Sequence, residues 1–255
     1  MNIAIIPARY ASTRFPGKPL VLIQGKTMIQ RVVEQVLAAE KVERCIVATD
    51  DEQIYNHVKT LSYEVMMTSA EHQSGTDRCA EVARSLDLKS DDVVINIQGD
   101  EPFIHPSQIN DLLDFMSKNE SVNIGTLAKK ITDIDYLDNP NIVKVIFNTA
   151  QKAIYFSRHP IPFVRGVEKN QWLAKTDFYK HIGMYAYRFS ALKKITNLAP
   201  STLELSESLE QLRWLENGFS IGVSVTELET VGIDTPEDLK KLELSNKTKF
   251  KHIAT

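Results

Sequence analysis

The sequence predicts an α/β fold with a mainly parallel central sheet, and two observations carry the prediction. In the first half of the chain, short apolar runs alternate with longer stretches in which apolar residues recur at helical spacing. Those stretches are long enough to act as crossover helices, the connection that parallel neighbours need.

The apolar runs are Ile3 to Ile6, Cys45 to Ala48, Glu64 to Met67 and Val93 to Ile97, each of strand length. Met28 to Leu37, Glu52 to Leu61, Thr76 to Leu86 and Ile109 to Met116 supply the helices. Ligands of such sheets sit beyond the carboxyl ends of the strands, so chemistry is sought in the loops that follow these runs. The second half is less regular. It offers strands at Asn123 to Ala128, Val143 to Phe147, Ala153 to Phe156, Met184 to Tyr187 and Ile221 to Val225, and reads as a smaller β-rich region inserted on the sheet. Ser201 and Glu204 have capping-box spacing, and Leu205, Leu209, Leu212 and Leu215 then repeat at helical spacing up to Gly218, which predicts one helix with one buried face. After a strand-like segment ending near Ile233, Thr235, Pro236, Glu237 and Asp238 mark another helix start. Residues 246–255 are polar and basic and are expected to fray, leaving one domain over 1–245.

Composition narrows the function. With 43% apolar and 25% charged residues, the 255-residue chain can bury a real core. A formal net charge of -3 gives no global footprint for nucleic acid, so an anion must be held by a local cluster of bases. Cys45 and Cys79 are too few and too far apart for a disulfide scaffold or zinc site, and suit packing in a reducing compartment. The apolar N-terminal run is too short for a signal segment, and nowhere do roughly 18 apolar residues run uninterrupted, so neither export nor a membrane span is expected.

Two loops look chemical. After the first strand, ARYASTRFPGKPL places Arg9, Arg14 and Lys18 within ten residues, whereas the first acid of the chain is Glu34. Cations at a strand end, with Ser12, Thr13 and the backbone around Gly17, are what a triphosphate needs; a solvated basic loop is the alternative. The loop is neither a dinucleotide fingerprint nor a Walker motif. In NIQGDEPFI, Asn96 to Ile104, a buried strand runs into Gln98, Gly99, Asp100 and Glu101. Gly99 can take a tight turn, and Asp100 is then placed as an oxygen ligand for Mg²⁺, unless it is only a solvated turn acid. Asp234 could share that metal or merely precede a helix cap.

Three signals are weaker. HQSGTDR, His72 to Arg78, puts hydrogen-bonding residues before a helix, as base or ribose recognition would and as an ordinary N-cap would too. His181 and Tyr185 in YKHIGMYAY lie four apart and share a face in helix or strand, though a satisfied core histidine explains the first equally. Glu210 and Gln211 lie beside the leucine stripe, where a solvated face is the default.

In order, IPARYASTRFPGKPL, ATDDE, HQSGTDR, NIQGDEP, YFSR, HIGMYAYR, ESLEQLR and VGIDTPEDL resemble the 3-deoxy-manno-octulosonate cytidylyltransferase (CMP-Kdo synthetase) family over residues 2 to about 243. The resemblance implies a Rossmann-like nucleotidyltransferase fold, Mg²⁺ dependence, a cytoplasmic homodimer, and a role in lipopolysaccharide biosynthesis. It implies a nucleotide-binding half at 1–120 and a sugar-binding and dimerisation half at 121–230. Arg9, Ser12, Arg14 and Lys18 would hold the CTP phosphates, and Gln73, Ser74, Gly75 and Arg78 the cytidine. Asp100 and Asp234 would hold Mg²⁺, with Arg9, Lys18 and Asp100 closest to the chemistry. Gln98, His181, Tyr185, Glu210 and Gln211 would meet the carboxylate and hydroxyls of 3-deoxy-D-manno-octulosonate (Kdo). At Phe163 to Gly166 the family more often has an acid after the arginine, so Arg165 takes no role.

The expected reaction is in-line attack of the sugar's anomeric hydroxyl on the α-phosphorus of CTP, for which the protein positions groups and neutralises charge. Rivals are a cytidylyltransferase for 8-amino-Kdo or a sialic acid, a non-catalytic nucleotide-binding module, and an NAD-dependent oxidoreductase, the last disfavoured by the missing glycine fingerprint.

Overall fold

A computed structural model describes residues 1–11, 15–230, 232–233 and 235–240. The first strand, β1 (Asn2–Ala8), is buried along nearly its whole length. A 3-10 turn at Lys18–Leu20 and the short strands β2 (Leu22–Ile23) and β3 (Lys26–Thr27) lead into α1 (Met28–Leu37), whose N-cap Thr27 accepts from Gln30 N. Then come β4 (Arg44–Thr49), α2 (Glu52–Thr60), β5 (Glu64–Met67), α3 (Gly75–Arg84), β6 (Val93–Asn96) and α4 (Pro106–Lys118), all within a few residues of their expected bounds. The second half continues with β7 (Ile124–Lys130), α5 (Asp135–Asp138), β8 (Lys144–Phe147), β9 (Ala153–Ser157), α6 (Trp172–Lys175), β10 (Tyr179–Arg188), α7 (Phe189–Ile195), α8 (Thr202–Glu207), α9 (Glu210–Glu216) and β11 (Ile221–Val225).

Hydrogen-bonded neighbours run β11-β7-β10-β6-β1-β4-β5. The pairs β6–β1, β1–β4 and β4–β5 are parallel, β10 is antiparallel to both β6 and β7, and β11 is parallel to β7. The sheet is therefore mainly parallel, as the crossover helices require. Three strands of the second half extend this sheet directly, so that half is not wholly an insertion; only β8 and β9 leave the main path, branching from β10.

Alternation along β1 sorts the core into two layers. Ile3 and Ile5 pack with residues of α3, α7 and α9, while Ala4, Ile6 and Ala8 pack with α1, α2 and α4. Cys79 lies in the first layer and Cys45 in the second, both as buried free thiols, and burial raises Cys45 to about 12. Packing is thus their role.

Two further expectations fail. The single helix over the leucine stripe is broken into α8 and α9 by Ser208, at φ 51°, and Leu205 is 70% exposed while Leu209 and Leu212 are buried. The capping box of Ser201 and Glu204 does form, and Gly218 at φ 80° follows the end of α9. The strand-like segment before Asp234 is not a strand: residues 226–230 and 232–233 have no regular structure. Thr235 does cap the helical residues 236–240, accepting from Asp238 N at 3.2 Å. The tail at 246–255 lies outside the described residues.

Candidate functional site

From β1 the chain moves to β4 and β5 on one side, then returns through α3 to β6 on the other. The loops leaving β1 and β6 therefore diverge, which opens a crevice at the carboxyl ends of these two strands. A pocket of about 230 Å³ occupies it, lined by Arg9, Lys18, Gln73, Ser74, Gly75, Arg78, Gln98, Gly99 and Asp100, with Pro7, Ala8, Pro19 and His72 completing the wall. Sequence positions almost a hundred residues apart thus meet around one cavity.

Arg9 leaves the end of β1 exposed. The loop after it folds back where Gly17, at φ 70°, donates its N–H to Tyr10 O at 3.0 Å. That reversal delivers Lys18, whose Nζ donates to Asp100 Oδ2 at 2.7 Å. Asp100 reaches it because Gly99 passes hard against β1: a Cβ on Gly99 would stand 2.9 Å from Pro7 O. Ser12 and Arg14 lie outside the described residues.

The opposite wall is the start of α3. Ser74 is its N-cap, accepting from Asp77 N at 3.1 Å and donating to Asp77 Oδ2 at 2.9 Å. The helix thus presents its positive end to a cavity already holding Arg9 and Lys18, an arrangement suited to an anion. Arg78 reaches the wall but is 4% exposed, and its guanidinium donates to Asp50 Oδ2 at 2.9 Å and to Thr68 Oγ1. Asp50 comes from ATDDE, to which sequence reasoning gave no role; the next residue, Asp51, caps α2.

Of the remaining predicted residues, His181, Tyr185 and Glu210 form a second group beside the pocket rather than in its wall. Gln98 bridges the two, donating from Nε2 to Gly183 O on β10 at 3.3 Å. The pairing of β10 with β7 shifts register between Ile182 and Tyr185, yet the rings of His181 and Tyr185 still meet with centroids 5.3 Å apart. His181 Nε2 lies 2.9 Å from Thr126 Oγ1, and burial of the ring holds its pKa down to about 3, so the imidazole is neutral. Tyr185 is buried against Trp214 and Tyr187, and its hydroxyl finds no hydrogen-bond partner among the described residues. Burial and the neighbouring Glu210 carboxylate push this phenol well above the ordinary tyrosine range.

Glu210 opens α9 and is not on a solvated face: its Oε2 accepts from Thr76 Oγ1 at 2.6 Å. Burial raises its pKa, against the lowering effect of the Thr76 hydrogen bond and of the Ser74 hydroxyl nearby. Gln211 is 5% exposed. Sequence reasoning missed Thr76 as a partner of this group, although it sits inside the HQSGTDR motif.

No group of three metal-ligating side chains gathers among the described residues. Mg²⁺ needs no such cage, since one or two carboxylates and substrate phosphates suffice. Asp100 offers a partly exposed hard-oxygen donor, on which the Lys18 ammonium rests, beside a cationic cavity, and this donor chemistry fits the ion. Asp234 lies outside the described residues, while its neighbour Ile233 donates its N–H to Asp100 O at 3.0 Å.

Known proteins resemble this chain in both sequence and fold. A family model described as Cytidylyltransferase matches residues 3–227. A 3-deoxy-manno-octulosonate cytidylyltransferase of Cytophaga hutchinsonii is 55% identical over 241 residues, covering 94% of this chain and 95% of that protein. One from Bacteroides thetaiotaomicron is 53% identical, covering 94% and 96%. A solved CMP:2-keto-3-deoxy-manno-octonic acid synthetase complexed with CTP matches with a TM-score of 0.89 and 39% identity, over 97% of this chain and 99% of that one. The 4-diphosphocytidyl-2C-methyl-D-erythritol synthase of Anaerococcus prevotii, at 14% identity and a TM-score of 0.60 over 96% of this chain and 98% of that one, shares the fold alone.

Proposed function

The chain belongs to the cytidylyltransferase family, with the Rossmann-like nucleotidyltransferase fold, and from that membership we propose how its site works. The protein is a 3-deoxy-manno-octulosonate cytidylyltransferase, transferring CMP from CTP to the anomeric hydroxyl of Kdo and releasing pyrophosphate. The observation that supports the assignment of roles is the Lys18–Asp100 pair, 2.7 Å apart, facing the α3 N-terminus across a crevice between parallel strands.

In this reading the triphosphate lies along Arg9 and Lys18, with Ser12 and Arg14 from the same loop, and the cytidine lies against Gln73, Ser74 and Gly75. Lys18 and Arg9 offset the charge that builds on the phosphates as pyrophosphate leaves. Arg78 acts indirectly, its pairing with Asp50 fixing α3 against the loop after β4. Gln98, His181, Tyr185, Glu210 and Gln211 orient the sugar so that its anomeric hydroxyl lines up with the α-phosphorus. His181 serves as a neutral hydrogen-bonding group, because burial keeps it unprotonated at physiological pH. Asp100 and Asp234 would hold Mg²⁺ together with substrate phosphates, and the ion supplies charge neutralisation and a lower pKa for a coordinated hydroxyl.

Further parts of the proposal are a cytoplasmic homodimer and a role in lipopolysaccharide biosynthesis. The free, buried Cys45 and Cys79 suit a reducing compartment, and among the described residues no helix is long and apolar enough to cross a membrane. The test is pyrophosphate release from CTP and Mg²⁺ with Kdo, 8-amino-Kdo and sialic acid supplied separately. Kdo is expected to give the highest kcat/KM, and a preference for either of the others would reassign the acceptor.

A further inference from the structure

Thr76 has no part in the roles set out above, yet its hydroxyl joins the two halves of the site. It is the second residue of α3 and 3% exposed. The residue before it, Gly75, lines the nucleotide pocket and lies so close to the end of β1 that an added Cβ would meet Pro7 Cγ at 3.1 Å. On its other side Thr76 donates to Glu210 Oε2 at 2.6 Å, across 134 positions of sequence. The first turn of α3 is thus fixed between β1 and α9, and whatever seats Ser74 and Gly75 also sets the place of Glu210.

A half-buried carboxylate still requires compensation, and the surroundings of Glu210 supply little of it. Asp77 on α3 opposes its charge, and the phenols of Tyr185 and Tyr187 and the thiol of Cys79 face it as groups that do not ionise at neutral pH. Arg213 on its own helix is engaged by Glu204, its Nε at 2.7 Å and its second guanidinium nitrogen at 2.5 Å. The Thr76 hydroxyl, with Ser74 beside it, is what orients the acid.

We propose that Thr76 is a positioning residue that holds Glu210 in the sugar-reading geometry from the same helical turn that binds the nucleotide. This rests on the sugar-side assignment of Glu210 given above. Thr76→Val keeps the shape and removes the donor, whereas Thr76→Ser keeps the donor. With thermal melting to verify folding, Thr76→Val should raise the Kdo KM about tenfold or more while the CTP Kd from calorimetry stays within about twofold, and Thr76→Ser should recover most of the loss. Added to Glu210→Ala, Thr76→Val should produce no further rise in the Kdo KM, since both changes remove one interaction. An unchanged Kdo KM in Thr76→Val, or effects of the two substitutions that multiply, would overturn the proposal while leaving the role of Glu210 standing. An unchanged Kdo KM in Glu210→Ala would remove the sugar-side assignment itself, and the role of Thr76 with it.

Discussion

Lys18 and Asp100 show how single residues acquire meaning from where strands end. Each is an ordinary charged side chain in the sequence, but β1 and β6 are adjacent parallel strands, so the loops that follow them open on the same edge. Gly99 then lets the second loop press against the first. Lys18→Ala should lower kcat/KM by about tenfold to a hundredfold, the range of one charge-assisted hydrogen bond. Lys26→Ala should change it little, because Lys26 pairs with Glu34 on the surface. Steady-state kinetics of both variants tests this, and equal effects would reduce the loop to a solvated basic surface. The cations and the acid were legible because unbalanced charge after an apolar strand is a signal in itself. The partners of Glu210 and Arg78 were not, since hydrogen bonds to Thr76 and Asp50 depend on tertiary placement.

His181 gives a second test at this scale. Its pKa in the fold is about 3 against an ordinary 6.5, so folding favours the neutral ring. The resulting stability is complete above about pH 6.5 and is lost as the pH falls from there towards 3. Between pH 7 and pH 4.5 the protein should lose about 2 to 3 kcal/mol from this group, two pH units at 1.36 kcal/mol each. His181→Gln should lack that component, so urea titrations of both proteins at the two pH values should converge in acid. A parallel decline would mean that the ring is not desolvated.

Among the elements, the joint between α8 and α9 departs most from its sequence pattern. The leucine spacing favours one helix, but Arg158 at the end of β9 donates to Glu207 O at 2.6 Å and Ser208 O at 3.2 Å, diverting carbonyls a continuous helix would use. Glu207 in turn accepts from Ser157 Oγ at 2.7 Å and Arg158 N at 2.9 Å. The break allows α9 to start at Glu210, against α3. Helix caps were readable here because they are local; the break was not, because its cause lies some fifty residues away. Glu207→Ala should cost about 1 to 3 kcal/mol by leaving these donors unsatisfied, and should also raise the Kdo KM as α9 shifts. Chemical denaturation and sugar kinetics measure the two effects, and loss of neither would show that other contacts hold the joint.

Across the whole molecule, the proposed reading has one sheet serve both substrates. The parallel strands β1, β4 and β6 bring the nucleotide-side loops to one edge, and antiparallel β10 runs beside β6 to carry His181 and Tyr185 past Gln98. The alternation of strands and helices made the parallel part legible. The strand at Met184 to Tyr187 was legible, but the full length of β10 and its antiparallel place beside β6 were hidden, because an antiparallel strand within such a sheet leaves no distinctive period in the sequence. In the proposed reading, the crevice between β1 and β6 binds CTP through its cations and turns it over through Asp100. The most direct measurement is Mg²⁺-dependent pyrophosphate release from CTP and Kdo by Asp100→Asn, paired with calorimetric CTP binding and thermal melting of the same variant. Turnover should fall by at least about a hundredfold while the fold persists and CTP still binds through Arg9 and Lys18. A rate near that of the unmodified protein, with Mg²⁺ dependence intact, would contradict the account.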